Sequence, residues 1–141
     1  MLRKTSLFLV ILLLGVAGLA LVAEDVPKIK LTKGDPVAGQ KVFAEMKCYS
    51  CHYVGGETSK LYPSPVSTAP APLLDWRLSE QKPMDVALSV VAPSHKVSKV
   101  IIEQSGGKLS PMGNYAGQLD DRQLSDLVAY LRSLGEVTPK M

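Results

Sequence analysis

From Leu7 to Ala23 the chain reads "LFLVILLLGVAGLALVA", a run without a single charge, with Arg3 and Lys4 before it and Glu24 and Asp25 after it. A charged start followed by an apolar run marks an export signal or an anchor, and leaves the body of the chain outside the cytoplasm. The run is longer than the roughly 7–15 residues of an ordinary signal core and slightly shorter than the roughly 20 of a spanning helix. Gly18-Leu19-Ala20 offers a small-x-small cleavage site. Cleaved signal and retained anchor both stand, with the same topology, and no cysteine follows the run to serve a lipoprotein anchor.

Beyond the run the pattern changes. Residues 24–34 are polar with scattered apolar positions and read as a linker. Asp35-Pro36 then opens a helix: Asp suits the N-cap, and Pro suits the first helical position, where its missing N–H is unpaired anyway. Val42, Phe43 and Met46 are its apolar anchors. Residues 53–71 carry Gly55-Gly56, Pro63, Pro65 and Pro70 without any period, which predicts a long loop; such loops in small domains usually cover something. "PMDVALSVV" predicts a helix over 83–91, with Met84, Ala87, Leu88 and Val91 at i, i+3, i+4 and i+7. Residues 94–105 are ambiguous. Ser94 suits a cap, yet Val100-Ile101-Ile102 is β-branched and suits an extended chain; Gly106-Gly107 ends either one.

The last element is the clearest. Asp120 with Gln123 forms a capping-box pattern. Leu124, Leu127, Val128, Leu131 and Leu134 form one stripe, and Gly135 stands where a C-terminal cap belongs. The fold class is mostly α. The expected organisation is a signal or anchor over 1–23, a linker over 24–34, one helical domain over 35–136 and a tail over 137–141.

The chain has 141 residues, 16 basic and 13 acidic. Without Arg3 and Lys4 the body has 14 basic against 13 acidic residues, a net of +1. That excludes the clustered basic excess of a nucleic-acid binder.

Both cysteines lie in "KCYSCH", with a histidine directly behind the second. A Cys-x-x-Cys disulfide closes a very small loop and suits thiol exchange in a βαβ setting, which this pattern lacks. A zinc site needs four ligands, and beyond Cys48, Cys51 and His52 only His95 offers another. The third reading uses all three residues together: Cys-x-x-Cys-His is the attachment pattern of haem c, with thioethers at Cys48 and Cys51 and His52 as the proximal iron ligand. It also agrees with the export signal.

A second axial ligand is then needed, usually Met or His. Met46 lies too close to the motif, Met84 falls in a helical stripe and Met141 is in the tail. Met112 sits in "GGKLSPMGNYAGQL", between breakers and outside any stripe, and is the leading candidate. His95, beside Lys96 and Lys99, is the alternative.

At this point the sequence resembles the small monohaem cytochromes c with His/Met ligation. "GQKVFAEMKCYSCH" is similar to the family's opening helix, with Gly39 and Phe43 in place. "LSDLVAYLRSL" is similar to its closing helix, with Leu127 and Tyr130 where the two helices pack. "APLL" resembles the segment whose proline carbonyl accepts from the proximal histidine, which assigns Pro72, with Pro70 as fallback. "LSPMGNY" resembles the methionine-ligand loop. The departures are Gly113 where a proline often follows the ligand, and longer stretches at 55–71 and 93–108.

The resemblance implies a helical domain wrapped around one haem c, and one-electron transfer with redox proteins as donors and acceptors. Trp76 and Arg77 are candidates to reach a haem propionate. Lys47, Lys60 and Lys108 are candidates to frame an exposed haem edge, as steering charges or as a solvated rim. A membrane-bound respiratory complex is a possible setting, with membrane contact through Leu7–Ala23 if that run is uncleaved. The alternative function is a gas- or ligand-binding haem sensor with a weak sixth ligand. No acid/base pair or nucleophile constellation points to an enzyme.

Overall fold

The computed structural model describes residues 28–55, 61–107 and 109–134. The Leu7–Ala23 run, Lys60, Lys108, Gly135 and Met141 lie outside them. Among the described residues there are four α-helices, α1 (Pro36–Glu45), α2 (Pro83–Val91), α3 (Lys99–Ser105) and α4 (Asp121–Ser133), with short 3-10 turns at Cys48–Ser50 and Trp76–Leu78. Strand-like pairing is limited to two isolated bridges, Val54 with Leu74 and Ala116 with Leu119. No described helix is long and apolar enough to cross a membrane.

The helix starts follow from their caps. Asp35 accepts from the Val37 amide at 2.9 Å, with Pro36 in the first position. At α4 the capping box is complete: Asp120 accepts the Gln123 amide at 2.7 Å, and the Gln123 side chain accepts the Asp120 amide at 3.1 Å. The ambiguous stretch resolves as α3. Ser98, not Ser94, caps it, and Gly106 closes it at φ 67°. Two termination signals outweigh the weak helical preference of the Val100-Ile101-Ile102 run.

The core sits where α1 crosses α4. A Cβ at Gly39 would overlap the Asp126 carbonyl and lie 2.8 Å from Tyr130 Cβ, so only glycine lets the two backbones approach this closely. Phe43 fills the crossing with no exposed surface, its ring 5.4 Å from Tyr130 and 5.1 Å from Tyr62. Leu124, Leu127, Val128, Leu131 and Leu134 are all buried, as their stripe requires.

Two expectations need correction. In α2 the buried face is Val86, Ala87, Val90 and Val91, while Met84 is 40% exposed. The helix is apolar at most of its positions, so more than one face satisfies the same period. Residues 28–34, expected as a linker, lie along α4 instead. Ile29 and Leu31 pack against the core while Lys28 and Lys30 face outward. The Thr32 amide donates to Ser125 Oγ at 3.0 Å, and the Asp35 amide to Asp126 Oδ1 at 2.7 Å. A Cβ at Gly34 would overlap the Ser125 carbonyl, so this contact also depends on glycine.

Candidate functional site

α1 delivers the chain to the cysteine motif through one unusual residue. Lys47 adopts the left-handed conformation at φ 53°, the only non-glycine residue among those described to do so. It breaks α1 and turns the chain into the Cys48–Ser50 turn. The Cys51 and His52 amides both donate to the Cys48 carbonyl, at 3.3 and 3.0 Å. This tight turn sets the spacing of Cys48, Cys51 and His52.

Neither cysteine is in a disulfide. Burial pushes the Cys48 thiol up to about 11, so it stays protonated at neutral pH. Thiol exchange needs a readily formed thiolate, and this environment works against one. Among the described residues no group of three His, Cys, Asp or Glu side chains is placed to hold a metal ion, so the zinc reading lacks a ligand set there.

His52 is 9% exposed, and its Nδ1 lies 2.8 Å from the Pro72 carbonyl oxygen. That carbonyl can only accept, so Nδ1 carries the proton and Nε2 is the nitrogen with a lone pair to offer. Pro72 is held in turn by backbone pairing of its neighbours with the motif: the Leu74 amide donates to the Tyr53 carbonyl at 2.9 Å, and the Gly55 amide to the Leu74 carbonyl at 2.8 Å. Burial lowers the His52 pKa below 6.5, and the Pro72 hydrogen bond opposes that in part. The neutral imidazole that a metal requires is therefore the favoured form.

Cys48, Cys51, His52, Pro72, Arg77 and Met112 line one cavity of about 590 Å³. Phe43, Val86, Val90, Leu127 and Leu131 extend the core into its walls. The volume lies within the roughly 300–1,000 Å³ typical of ligand and cofactor sites. An apolar cavity holding two thiols, a buried imidazole with a free Nε2 and a thioether suits a large, flat, iron-bearing group.

Trp76 is 47% exposed and stands outside the lining. The Trp76–Leu78 turn brings Arg77 and Leu78 to the cavity and leaves the indole on the outer side. Arg77 is already paired with Asp75, at 2.7 and 2.9 Å, and its guanidinium holds the Asp75 carboxyl below the usual range. His95 is exposed and outside the lining, with Nδ1 2.7 Å from the Ala92 carbonyl oxygen. Lys47 lies at the cavity.

The cytochrome c family model matches residues 36–135, most of the chain. The chain belongs to the cytochrome c family. No curated protein and no solved structure matches it. Membership implies covalently bound haem c and a part in electron transfer, and the cysteine motif agrees with that attachment.

Two features of this cytochrome's site escaped the sequence. Tyr115 lines the cavity, and burial raises its phenol pKa. Its position three residues after Met112, in a breaker-rich loop, was the available signal. Tyr62 stacks on Tyr49 with centroids 5.4 Å apart, and its hydroxyl lies 3.3 Å from that of Tyr130. That contact spans 68 positions, and nothing local announces it.

Proposed function

We propose that this cytochrome carries one haem c through thioethers at Cys48 and Cys51, that His52 and Met112 would hold its iron, and that it transfers single electrons. The observation that carries the reading is the shared cavity: both cysteines, the imidazole hooked to Pro72, and Met112 line it together. Bound haem supplies the ferric–ferrous couple, and a methionine sulfur raises its potential relative to two imidazoles.

The chain's own residues do the rest. The Pro72 carbonyl fixes the His52 tautomer and ring orientation and tunes the basicity of Nε2. The turn at Cys48–Ser50 sets both sulfurs and His52 in one short frame. Val86, Val90, Leu127 and Leu131 line part of the cavity with hydrocarbon.

The apolar Leu7–Ala23 run, flanked as an export signal, supports a place outside the cytoplasm. The partners are redox proteins, as a diffusing or tethered carrier or within a membrane-bound respiratory complex. The reading is that of a carrier, not an enzyme. Expression with the haem c maturation machinery tests the attachment. Haem should stay with the polypeptide under denaturing, acidic extraction, be held by one bond in Cys48→Ser or Cys51→Ser, and be lost from the double variant. Covalent haem in the double variant would overturn the assignment.

A further inference from the structure

Met112 hangs on a short chain of hydroxyl contacts. Between α2 and Met112 the backbone makes an excursion that includes α3. Its two ends meet: Ser94 Oγ accepts the Ser110 amide at 3.1 Å, across 16 positions of sequence. Ser110 Oγ in turn accepts the Met112 amide at 3.2 Å. Pro111 lies between them, and its fixed φ leaves little slack for Met112 to move independently of Ser110.

Ser94 is itself firmly held. It lies in the turn that ends α2, where the His95 amide donates to the Ala92 carbonyl at 2.9 Å and His95 Nδ1 lies 2.7 Å from the same oxygen. α2 is anchored by buried Val86, Ala87, Val90 and Val91. No residue of α3 is buried; Val97, Ser98 and Ile101 of the excursion reach the cavity only at its wall.

We infer that Ser94 is a positioning residue for Met112: its hydroxyl closes the base of the 95–109 excursion and ties the methionine loop to the core-anchored end of α2. The Ser94–Ser110 bridge gives Met112 an anchor that does not run through α3. The role rests on the reading in which Met112 ligates iron.

Imidazole titration of the ferric, haem-loaded protein tests it, because imidazole must displace the sixth ligand. Met112→Ala comes first and should bind imidazole far more tightly than wild type. If it does not, Met112 is not the ligand, and the positioning role falls with that reading. Given a shift there, Ser94→Ala should raise the apparent imidazole affinity ~3–10-fold, the effect of losing one hydrogen bond, and Ser94→Thr should restore it. Ser110→Ala, which removes the second link, should shift it in the same direction. Val100→Gly, which loosens α3 at an exposed position, should shift it less than Ser94→Ala does. Unchanged affinity in Ser94→Ala, or an equal rise in Val100→Gly, would sink the Ser94 role while leaving the ligation intact.

Discussion

His52 Nδ1 lies 2.8 Å from the Pro72 carbonyl oxygen, twenty residues away, and this contact fixes which imidazole nitrogen faces the cavity. Its surroundings also set a pH dependence. Burial holds the folded His52 pKa below the ordinary 6.5, so below pH 6.5 the unfolded chain binds more protons than the folded one. The stabilisation is complete above 6.5 and is lost as pH falls through the folded value. Urea midpoints of the haem-free chain should therefore fall as pH drops below 6.5. A rise on acidification over that range would contradict this.

Gly39 and Asp126 mark the helix crossing. Gly39→Ala places a methyl group against the Asp126 carbonyl, which forces the helices apart. Alanine favours the helix by roughly 0.5–1 kcal/mol, but overpacking at a rigid backbone contact costs roughly 1–3 kcal/mol. The net should be a loss, read from urea unfolding, with the cavity loosened as Phe43 and Leu127 shift. Unchanged stability would place the crossing elsewhere.

Much of this architecture was legible in the sequence because its signals are local. Asp35-Pro36, the Asp120–Gln123 pair and the leucine stripe of α4 each lie within a few turns of one helix. Cys48, Cys51 and His52 are adjacent, so their chemistry could be read directly, whereas Pro72 needed the family resemblance. What was missed depends on distant partners. Gly34 and Ile29 read as linker because only α4, some ninety residues on, gives them a surface to pack against. The Met84 face was favoured over Val86 and Val90 because α2 is apolar on most sides. Ser94 read as a helix cap, and its actual partner, Ser110, lies beyond the intervening excursion.

Asp126 is 5% exposed and accepts from the Asp35 amide at 2.7 Å and from Arg122 Nε at 3.1 Å. Asp126→Ala strands the amide that begins α1 and should cost about 1–3 kcal/mol. Arg122→Ala removes only an exposed partner, 63% accessible, and should cost less than about 1 kcal/mol. Equal losses in the two variants would show that the ion pair, not the amide, is what Asp126 supports.

Lys47 stores strain at the entrance to the haem motif. A left-handed conformation costs a non-glycine residue roughly 1–2 kcal/mol, and Lys47 sits at φ 53°. Lys47→Gly relieves it, against a greater loss of chain entropy on folding. The variant should be as stable as wild type or more so in thermal unfolding. A clear loss would mean that the lysine side chain itself holds the turn.

The central claim is that His52 and Met112 together hold one haem iron. The most direct test is the absorption spectrum of the ferric protein, compared with that of Met112→Ala. Wild type should show the weak long-wavelength band of methionine sulfur on ferric iron, and the variant should lack it; reduced wild type should resist carbon monoxide while the reduced variant binds it. A wild type without the band that binds carbon monoxide readily would contradict the account and favour a sensor with an open sixth position.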